Sequence, residues 1–385
     1  MIPLMAIPAA MSFFFAFILL AVPVWALSHG ATSLELGYLG AIGSLVYFLC
    51  VPFTGRLSDR YNPRRISTLA AFIFAGAAAL FPATQTLRPL YFLVALYSFA
   101  LALFWPSLES QLAHVLHTGK LSQRTGLYNI SWSTGIGLGT LSAGYIFDFS
   151  PVMPFYLAAA GAALLPALFL IFPPLSNHND APVSLPPESH PHQHPVHLTI
   201  ARVTNLCFWF ALGILRNLFP KLALTLNLNA TWIGILLASM SLSMLLVFVL
   251  FTFTHFWHFR YRLLVFTQFL SLIGLALIAV SSSIPLLLLG FIIAGLSSGH
   301  SYSAGLYYAL HFSKKPGEAE PSTVGHNTGI HEFFIGVGGF LGPLLGGPTA
   351  RYISLRGPYV LSCGIILIGM AVGWTLMKRA TSRPA

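Results

Sequence analysis

The sequence predicts an all-α membrane protein in which twelve transmembrane helices form two pseudo-symmetric six-helix bundles. Hydrophobic residues make up 56% of the 385-residue chain. Asp, Glu, Lys and Arg make up only 7%, against about a quarter in a typical soluble domain. Apolar stretches of about 20 residues, the length that crosses a bilayer as a helix, recur along the chain. A polar, proline-rich segment separates the first six stretches from the last six.

Each stretch is predicted to be a helix, because a transmembrane barrel would need short strands of alternating hydrophobicity instead. Gly and Pro interrupt many of the stretches without making any of them too short to span. In chain order, the predicted spans are Leu4–Leu27, Leu34–Thr54, Ile66–Thr86, Pro89–Val115, Thr125–Asp148, Val152–Leu175, Ile200–Leu226, Trp232–Phe253, Leu263–Ser281, Pro285–Phe312, Gly329–Ile353 and Pro358–Met377.

The distribution of cations predicts the orientation. With both termini in the cytoplasm, fourteen of the nineteen Lys and Arg residues fall in cytoplasmic segments, as the positive-inside rule requires. We therefore expect an integral protein of the bacterial inner (plasma) membrane that contacts membrane lipid. The net charge of +10 is explained by this topology, so nucleic acid is not an expected partner. Met1–Leu27 has no basic n-region, and we expect this first span to be retained.

Three segments follow from this organisation. Residues 1–175 are predicted to form an N-terminal six-helix bundle, 176–199 a cytoplasmic linker rich in Pro and His, and 200–385 a C-terminal six-helix bundle. Histidines that alternate with proline in an extended tract fix no coordination geometry, so no metal site is predicted. The sequence contains no nucleotide-binding loop, and no cofactor is expected. We expect a monomer.

The two halves are related by a faint internal repeat. At an offset of 203 residues, four glycines of the fifth span align with four of the eleventh: Gly126 with Gly329, Gly135 with Gly338, Gly139 with Gly342 and Gly144 with Gly347. Such a repeat is typical of carriers built from two related bundles.

The charged run between the second and third spans carries a more specific signal. Gly55, Asp59 and Arg60 have the spacing Gly-x-x-x-Asp-Arg, and Arg64 and Arg65 follow. This loop resembles the hallmark loop of the major facilitator superfamily, although Asn62 stands where the family usually has a glycine. The resemblance implies a solute carrier. It also implies a gating loop, in which Asp59 would contact the N-terminus of the eleventh helix in one conformation and lose that contact in another. The alternative is that the arginines only set topology.

The eleventh span is rich in small residues. Its Gly-Pro-x-x-Gly-Gly segment resembles an element that antiporters of the superfamily place in the fifth helix. Because the position differs, we interpret the segment as a helix-packing surface or bending point, formed by Gly338, Gly339, Gly342, Pro343, Gly346 and Gly347.

Ionisable residues inside spans are candidates for function because they are costly in hydrocarbon. Arg216 lies about 21 Å beyond Arg202 along the seventh span, past the middle of the bilayer. With the adjacent Asn217, it is the first candidate for binding an anionic group of a solute. The alternative is that Arg216 extends towards the outer headgroups.

Proton coupling has its own candidates, Glu109, Glu332 and His300. A carboxyl group in a low-dielectric cavity is more easily protonated, so protonation could be linked to the direction in which the cavity opens. Glu332 could equally be a helix N-terminal charge.

Polar and aromatic residues in interrupted helices complete the candidate substrate site: Trp105, Asn129, His300 and Tyr302. Together, the patterns predict a secondary transporter of a small organic solute by alternating access. A membrane-embedded lipid enzyme remains an alternative, in which His300 or His331 would converge with Glu109 or Glu332. A solute sensor with the same fold is another.

Overall fold

The computed structural model describes residues 2–115, 121–171, 194–313 and 324–382. Within these ranges it contains twelve α-helices: α1 (Ile2–Ser28), α2 (Ser33–Arg60), α3 (Pro63–Leu80), α4 (Leu87–Val115), α5 (Leu121–Phe149), α6 (Met153–Ile171), α7 (Val196–Thr225), α8 (Ala230–Phe253), α9 (Tyr261–Val280), α10 (Ile284–His311), α11 (Val324–Tyr352) and α12 (Gly357–Thr381). All twelve predicted spans correspond to helices. Most of the predicted linker, residues 176–199, lies outside the described residues, and α7 already begins at Val196.

Ten of the described helices are long and apolar enough to cross a bilayer. The two exceptions are α5, which is rich in Gly and polar residues, and α6, whose apolar part is Met153–Phe169. The largest differences from the predicted bounds are six residues: α3 ends at Leu80 rather than Thr86, and α2 continues past Thr54 to Arg60. The Gly55–Arg60 segment is therefore helical rather than a loop.

Local signals explain where several helices begin. Thr32 and Glu35 form a capping box at the start of α2, in which each side chain bonds the other residue's backbone N–H. Asn62 accepts a bond from the N–H of Arg64, and Pro63 occupies the first position of α3, where no hydrogen bond is lost. Asn62 has a φ of −59°, so the left-handed conformation that Asn can adopt in turns is not used here.

The packing repeats from one half to the other. In the first half, the main neighbouring pairs are α1–α5, α2–α4, α3–α4, α3–α6 and α1–α6. The second half contains the same five pairs with every helix number raised by six. The halves meet mainly through two helix pairs, α5 with α8 and α2 with α11. The same relation between the halves converts each of these pairs into the other. The fold is therefore two pseudo-symmetric six-helix bundles.

The aligned glycines occupy equivalent places in the two bundles. On α5, Cβ atoms built on Gly135 and Gly139 would clash with the carbonyl oxygens of Ala9 and Phe13 of α1. On α11, Cβ atoms on Gly338 and Gly342 would clash in the same way with Leu206 and Phe210 of α7. Close approach of backbones through small residues is a principal means of packing helices in lipid.

The last glycine pair packs across the interface between the halves. A Cβ atom on Gly144 of α5 would lie 2.5 Å from the carbonyl oxygen of Ala230 in α8. One on Gly347 of α11 would lie 3.1 Å from the Cα atom of Gly37 in α2. Thus α5 and α11 each contact their own bundle on one face and the opposite bundle on another.

The first prediction concerns this backbone contact. Gly342→Ala should destabilise the protein because α11 must move away from Phe210, at a cost of about 1–3 kcal/mol. We expect a lower thermal unfolding midpoint in detergent. Gly364→Ala on α12 is the matched control, because a Cβ atom there meets no described atom within 4 Å. Equal midpoints for the two variants would contradict the close α7–α11 contact.

Candidate functional site

A cavity with a volume of about 220 Å³ lies between the two halves. Helices from both bundles line it, including α1, α2, α4 and α5 from the first and α7, α10 and α11 from the second. Much of its wall is aromatic: Phe15, Tyr47, Tyr97, Trp105, Tyr128, Trp132, Trp209 and Tyr302. Among the described residues that line it, three carry a formal charge: Glu109, Arg216 and Glu332.

Arg216 is a half-buried cation in this cavity. Its guanidinium carbon lies 5.8 Å from the centre of the Trp209 ring, within the range of a cation–π contact. The direction is expected for a helical side chain, which leans towards the N-terminus of its helix. Among the described residues, no carboxylate lies within salt-bridge distance of Arg216. Asn217 lines the cavity beside it and donates a hydrogen bond to the carbonyl oxygen of Gly213 (2.9 Å).

The two carboxylates lie on α4 and α11. The hydroxyl of Tyr128 donates a 2.8 Å hydrogen bond to Glu109, whose side chain is exposed. Glu332 is half-buried, and within the described part of the chain its carboxylate has no hydrogen-bond or ion-pair partner. Both groups line the cavity, so a solute can reach either one.

The positive and negative charges of the cavity lie at different levels along the axis of α7. The ring of His331, which neighbours Glu332 in sequence, lies 3.3 Å from the Asn205 amide nitrogen. Asn205 precedes Arg216 by eleven residues, a rise of about 16 Å along the helix axis. Trp209 lies between these levels and also contacts the Tyr302 ring. The cavity therefore has an acidic region and a basic region, with aromatic rings between them.

The two halves are joined tightly at the end that carries the α1–α2 and α7–α8 connections, called here the α1–α2 end. Asp148 of α5 accepts hydrogen bonds from the N–H groups of Ala230 (3.1 Å) and Thr231 (2.8 Å), at the N-terminus of α8. The Thr231 hydroxyl also donates to this carboxylate. Lys221 of α7 donates to the carbonyl oxygen of Ala31 (3.2 Å). These contacts hold the two halves together at this end.

Several predicted site residues lie away from the cavity wall. Asn129 is buried and accepts a hydrogen bond from the Trp132 indole (3.2 Å). His300 is buried inside the second bundle, where its ring bonds Thr267 (2.9 Å). Neither residue is among those that line the cavity, so a contact of either one with the solute stays a prediction. Among the predicted substrate residues, Trp105, Tyr302, Arg216 and Asn217 do line it.

The arrangement also disfavours the enzyme alternative. Glu109 and Glu332 face the cavity, whereas His300 and His331 are buried in the second bundle. The convergence that a reactive site requires is absent from the described residues. Within the same ranges, no group of three His, Cys, Asp or Glu side chains is placed to bind a metal ion.

The predicted gating segment lies at the opposite end, called the α2–α3 end. Gly55 and Arg60 belong to the last turns of α2, with Arg60 exposed. The guanidinium carbon of Arg64 lies 5.9 Å from the centre of the Phe169 ring of α6, and the side chain of Arg65 is exposed. The side chain of Asp59 lies outside the described residues, so its contact with α11 stays a prediction.

Sequence reasoning missed the most extensive polar contact between the halves. Asp148 was predicted only as the last residue of the fifth span. A signal was available, because a carboxylate in the last turn of a helix is disfavoured by that helix's own dipole and needs another partner. Tyr47, Tyr128, Trp132 and Trp209 were also missed, since aromatic residues in an apolar helix give no periodic signal that separates a cavity wall from a packed core.

The fold and the cavity define a polytopic membrane protein of carrier architecture. The family model for the Major Facilitator Superfamily matches residues 4–319 and 202–385. The chain belongs to this superfamily, whose members are transporters rather than enzymes.

Individual relatives show similarity over shorter stretches. Multidrug resistance protein 2 of Bacillus subtilis (strain 168) is 28% identical over 137 residues, 36% of this chain and 34% of that protein. Quinolone resistance protein NorA of Staphylococcus aureus (strain MRSA252) is 24% identical over 138 residues, 36% of each chain. These matches thus span about a third of each relative's length.

Solved structures match the whole fold. The nucleoside transporter NupG superimposes with a TM-score of 0.73 at 13% identity, with 98% of both chains covered. The human organic anion transporter MFSD10 (TETRAN) gives 0.69 at 16% identity, covering 96% of this chain and 98% of that one. At these identities the likeness concerns the fold alone.

The second prediction concerns Asp148. Asp148→Asn keeps an acceptor oxygen but removes the charge that stabilises the α8 N-terminus. The closed conformation of this end should lose about 1 kcal/mol relative to the open one, which changes the ratio of the two populations about fivefold. Spin labels at Pro151 and Leu224, in a background without the three native cysteines, should report a larger population of long distances. Thr231→Val, which removes only the hydroxyl bond, should have a smaller effect. Unchanged distances in both variants would contradict a closing role for Asp148.

Proposed function

We propose that the protein is a secondary transporter that carries a small organic solute with an anionic group across the membrane by alternating access. The observation that carries this proposal is Arg216, a cation that faces the central cavity with no anionic partner among the described residues. An isolated cation in a low-dielectric site is costly. A solute carboxylate or similar group would offset that cost when it binds.

A second donor lies beside this cation. The indole N–H of Trp209 is buried and has no hydrogen-bond partner in the described part of the chain. Buried donors in folded proteins are nearly always bonded, so an unpartnered one next to a ligand cavity indicates a bonding partner supplied from outside. The Arg216 guanidinium and the Trp209 indole together would suit an acceptor-rich anionic group attached to an aromatic body.

Alternating access is supported by the contacts at the α1–α2 end. The interactions of Asp148 and Lys221 with the opposite half are hydrogen bonds rather than buried apolar packing. They can be exchanged for bonds to water when that end opens. The distribution of Lys and Arg assigns the α2–α3 end to the cytoplasm, so this conformation would be the one closed towards the outside. The names of the bacterial relatives concern multidrug and quinolone resistance, which accords with an organic solute.

We include proton coupling in the proposal on the basis of the cavity's charges. Glu109 and Glu332 give it two acidic groups against one cation. If both are ionised, the empty cavity carries one uncompensated negative charge, which a proton can neutralise. A proton gradient could then bias the conformational equilibrium through the different surroundings of these carboxyl groups in each state.

The third prediction tests Arg216. Arg216→Gln should abolish most of the thermal stabilisation that the purified protein gains from biphenyl-4-carboxylate, with at least about tenfold weaker binding from the lost charge-assisted bonds. Arg216→Lys keeps the charge but loses the planar contact with Trp209. Its thermal stabilisation by this acid should therefore lie between those of the native protein and Arg216→Gln. Arg88→Gln, which changes an exposed arginine outside the cavity, is the control. Stabilisation by cations only would show that the role given to Arg216 is wrong.

The fourth prediction tests coupling in proteoliposomes. The double variant Glu109→Gln, Glu332→Gln should lose accumulation of biphenyl-4-carboxylate driven by an imposed pH gradient, yet keep counterflow, because exchange needs no net proton movement. Glu35→Gln changes a carboxylate of the α2 capping box, where Gln is also accepted, and should behave as the native protein. Gradient-driven accumulation by the double variant would exclude these carboxyls as the coupling site. Binding without flux in the native protein would favour a sensor.

A further inference from the structure

The charge pattern of the cavity indicates more about the solute than an anionic group. Arg216 lies in the basic region, and Glu332 in the acidic region at the level of Asn205 on α7. Both face one continuous cavity, and within the described residues neither has an ion-pair partner. An anionic solute that binds Arg216 would leave Glu332 uncompensated.

The separation of these groups sets a size. The axial rise from Asn205 to Arg216 is about 16 Å, and both charged side chains lean towards the N-termini of the parallel helices α7 and α11, so the leans roughly cancel. A solute charge lies about 3 Å from each protein charge that it contacts, which leaves about 10 Å between the two charges of the solute. Rings from both halves line the cavity, among them Tyr128 and Trp132 of the first half and Trp209 and Tyr302 of the second. A flat aromatic body can pack against such rings, with centroid distances of about 4.5–7 Å.

Glu109 and Glu332 differ in their surroundings. Glu109 accepts the hydroxyl proton of Tyr128 (2.8 Å), whereas Glu332 has no such donor among the described residues. A cationic group that enters the acidic region therefore finds its strongest unmet acceptor at Glu332. Glu109 would keep its hydrogen bond and remain available to a proton.

We propose that the transported solute is an elongated aromatic zwitterion with its charges about 10 Å apart, whose acidic group binds Arg216 and whose ammonium group binds Glu332. The inference rests on the proposed function and narrows its substrate class. Such a solute forms ion pairs with Arg216 and Glu332, and a proton neutralises Glu109, the third charged group of the cavity. Charged contacts of this kind contribute chiefly to specificity, because a solute that lacks one of them leaves a buried charge unpaired.

Four probes with related aromatic bodies test the inference by calorimetric titration of the full-length purified protein. They are 4′-(aminomethyl)biphenyl-4-carboxylate, which carries both charges about 10 Å apart, biphenyl-4-carboxylate, biphenyl-4-ylmethanamine, and the shorter zwitterion 4-(aminomethyl)benzoate. We expect the long zwitterion to bind at least about tenfold more tightly than each of the other three. Glu332→Gln should lower its affinity to that of the acid, and Arg216→Gln to that of the amine.

The controls and outcomes separate this inference from the proposed function. Glu35→Gln and Arg88→Gln should change none of the affinities, and thermal unfolding establishes that each variant is folded. If the acid binds as tightly as the long zwitterion and is insensitive to Glu332→Gln, the zwitterion inference is overturned while the anion-carrier proposal stands. If the amine binds as tightly and Arg216→Gln has no effect, both fail. Failure of all four probes to bind at millimolar concentration would also overturn the zwitterion inference.

Discussion

The structure depends on how closely α5 and α11 approach their neighbours. Lipid tails are as apolar as leucine, so helices in a bilayer gain little from burying apolar side chains against each other and associate instead through close packing and polar contacts. Gly139 and Gly342 allow two backbones to meet with no side chain between them. Because each helix uses another face for the opposite bundle, at Gly144 and Gly347, the same two helices set the internal geometry of both bundles and the distance between them. The shape of the cavity follows from that distance.

Within the part of the chain that the structure describes, the charges of the cavity are few and have no ion-pair partner. The chain is 7% charged, and several buried polar side chains of the second bundle bond one another, as Thr204 does Gln268 (2.8 Å) and Thr267 does His300 (2.9 Å). Arg216 and Glu332 are exceptions that face the cavity. Unpaired charge in a membrane protein persists where function requires it, and a ligand or proton is the most direct compensation. Substrate choice and proton coupling would then both follow from the same imbalance of charge in the cavity.

The sequence was sufficient to predict the helices and the relation between the halves, because both depend on composition and spacing along the chain. Arg216 could also be placed in the cavity from its distance to Arg202 and its position in an apolar helix. Neighbours from other helices could not be predicted in this way. His300 and Arg216 are both polar residues in interrupted spans, yet the first bonds Thr267 of α9 and the second faces the cavity. Helix rotation decides that difference, and rotation is set by tertiary packing that a single sequence does not reveal.

The two halves are not equivalent at the α1–α2 end, where the repeat is broken by charge. Asp148 of α5 accepts hydrogen bonds from the first two N–H groups of α8. Asn229, the N-cap of α8 from its own half, accepts one from the N–H of Trp232. At the offset that relates the glycines, the position equivalent to Asp148 is Arg351, at the end of α11. A cation cannot cap a helix N-terminus, and the adjacent helix α2 is instead capped by Thr32 and Glu35 of its own half. Hydrogen-bonded capping between the halves therefore occurs at α8 and not at α2, so separation at this end would cost more at the α5–α8 contact than at the α2–α11 contact.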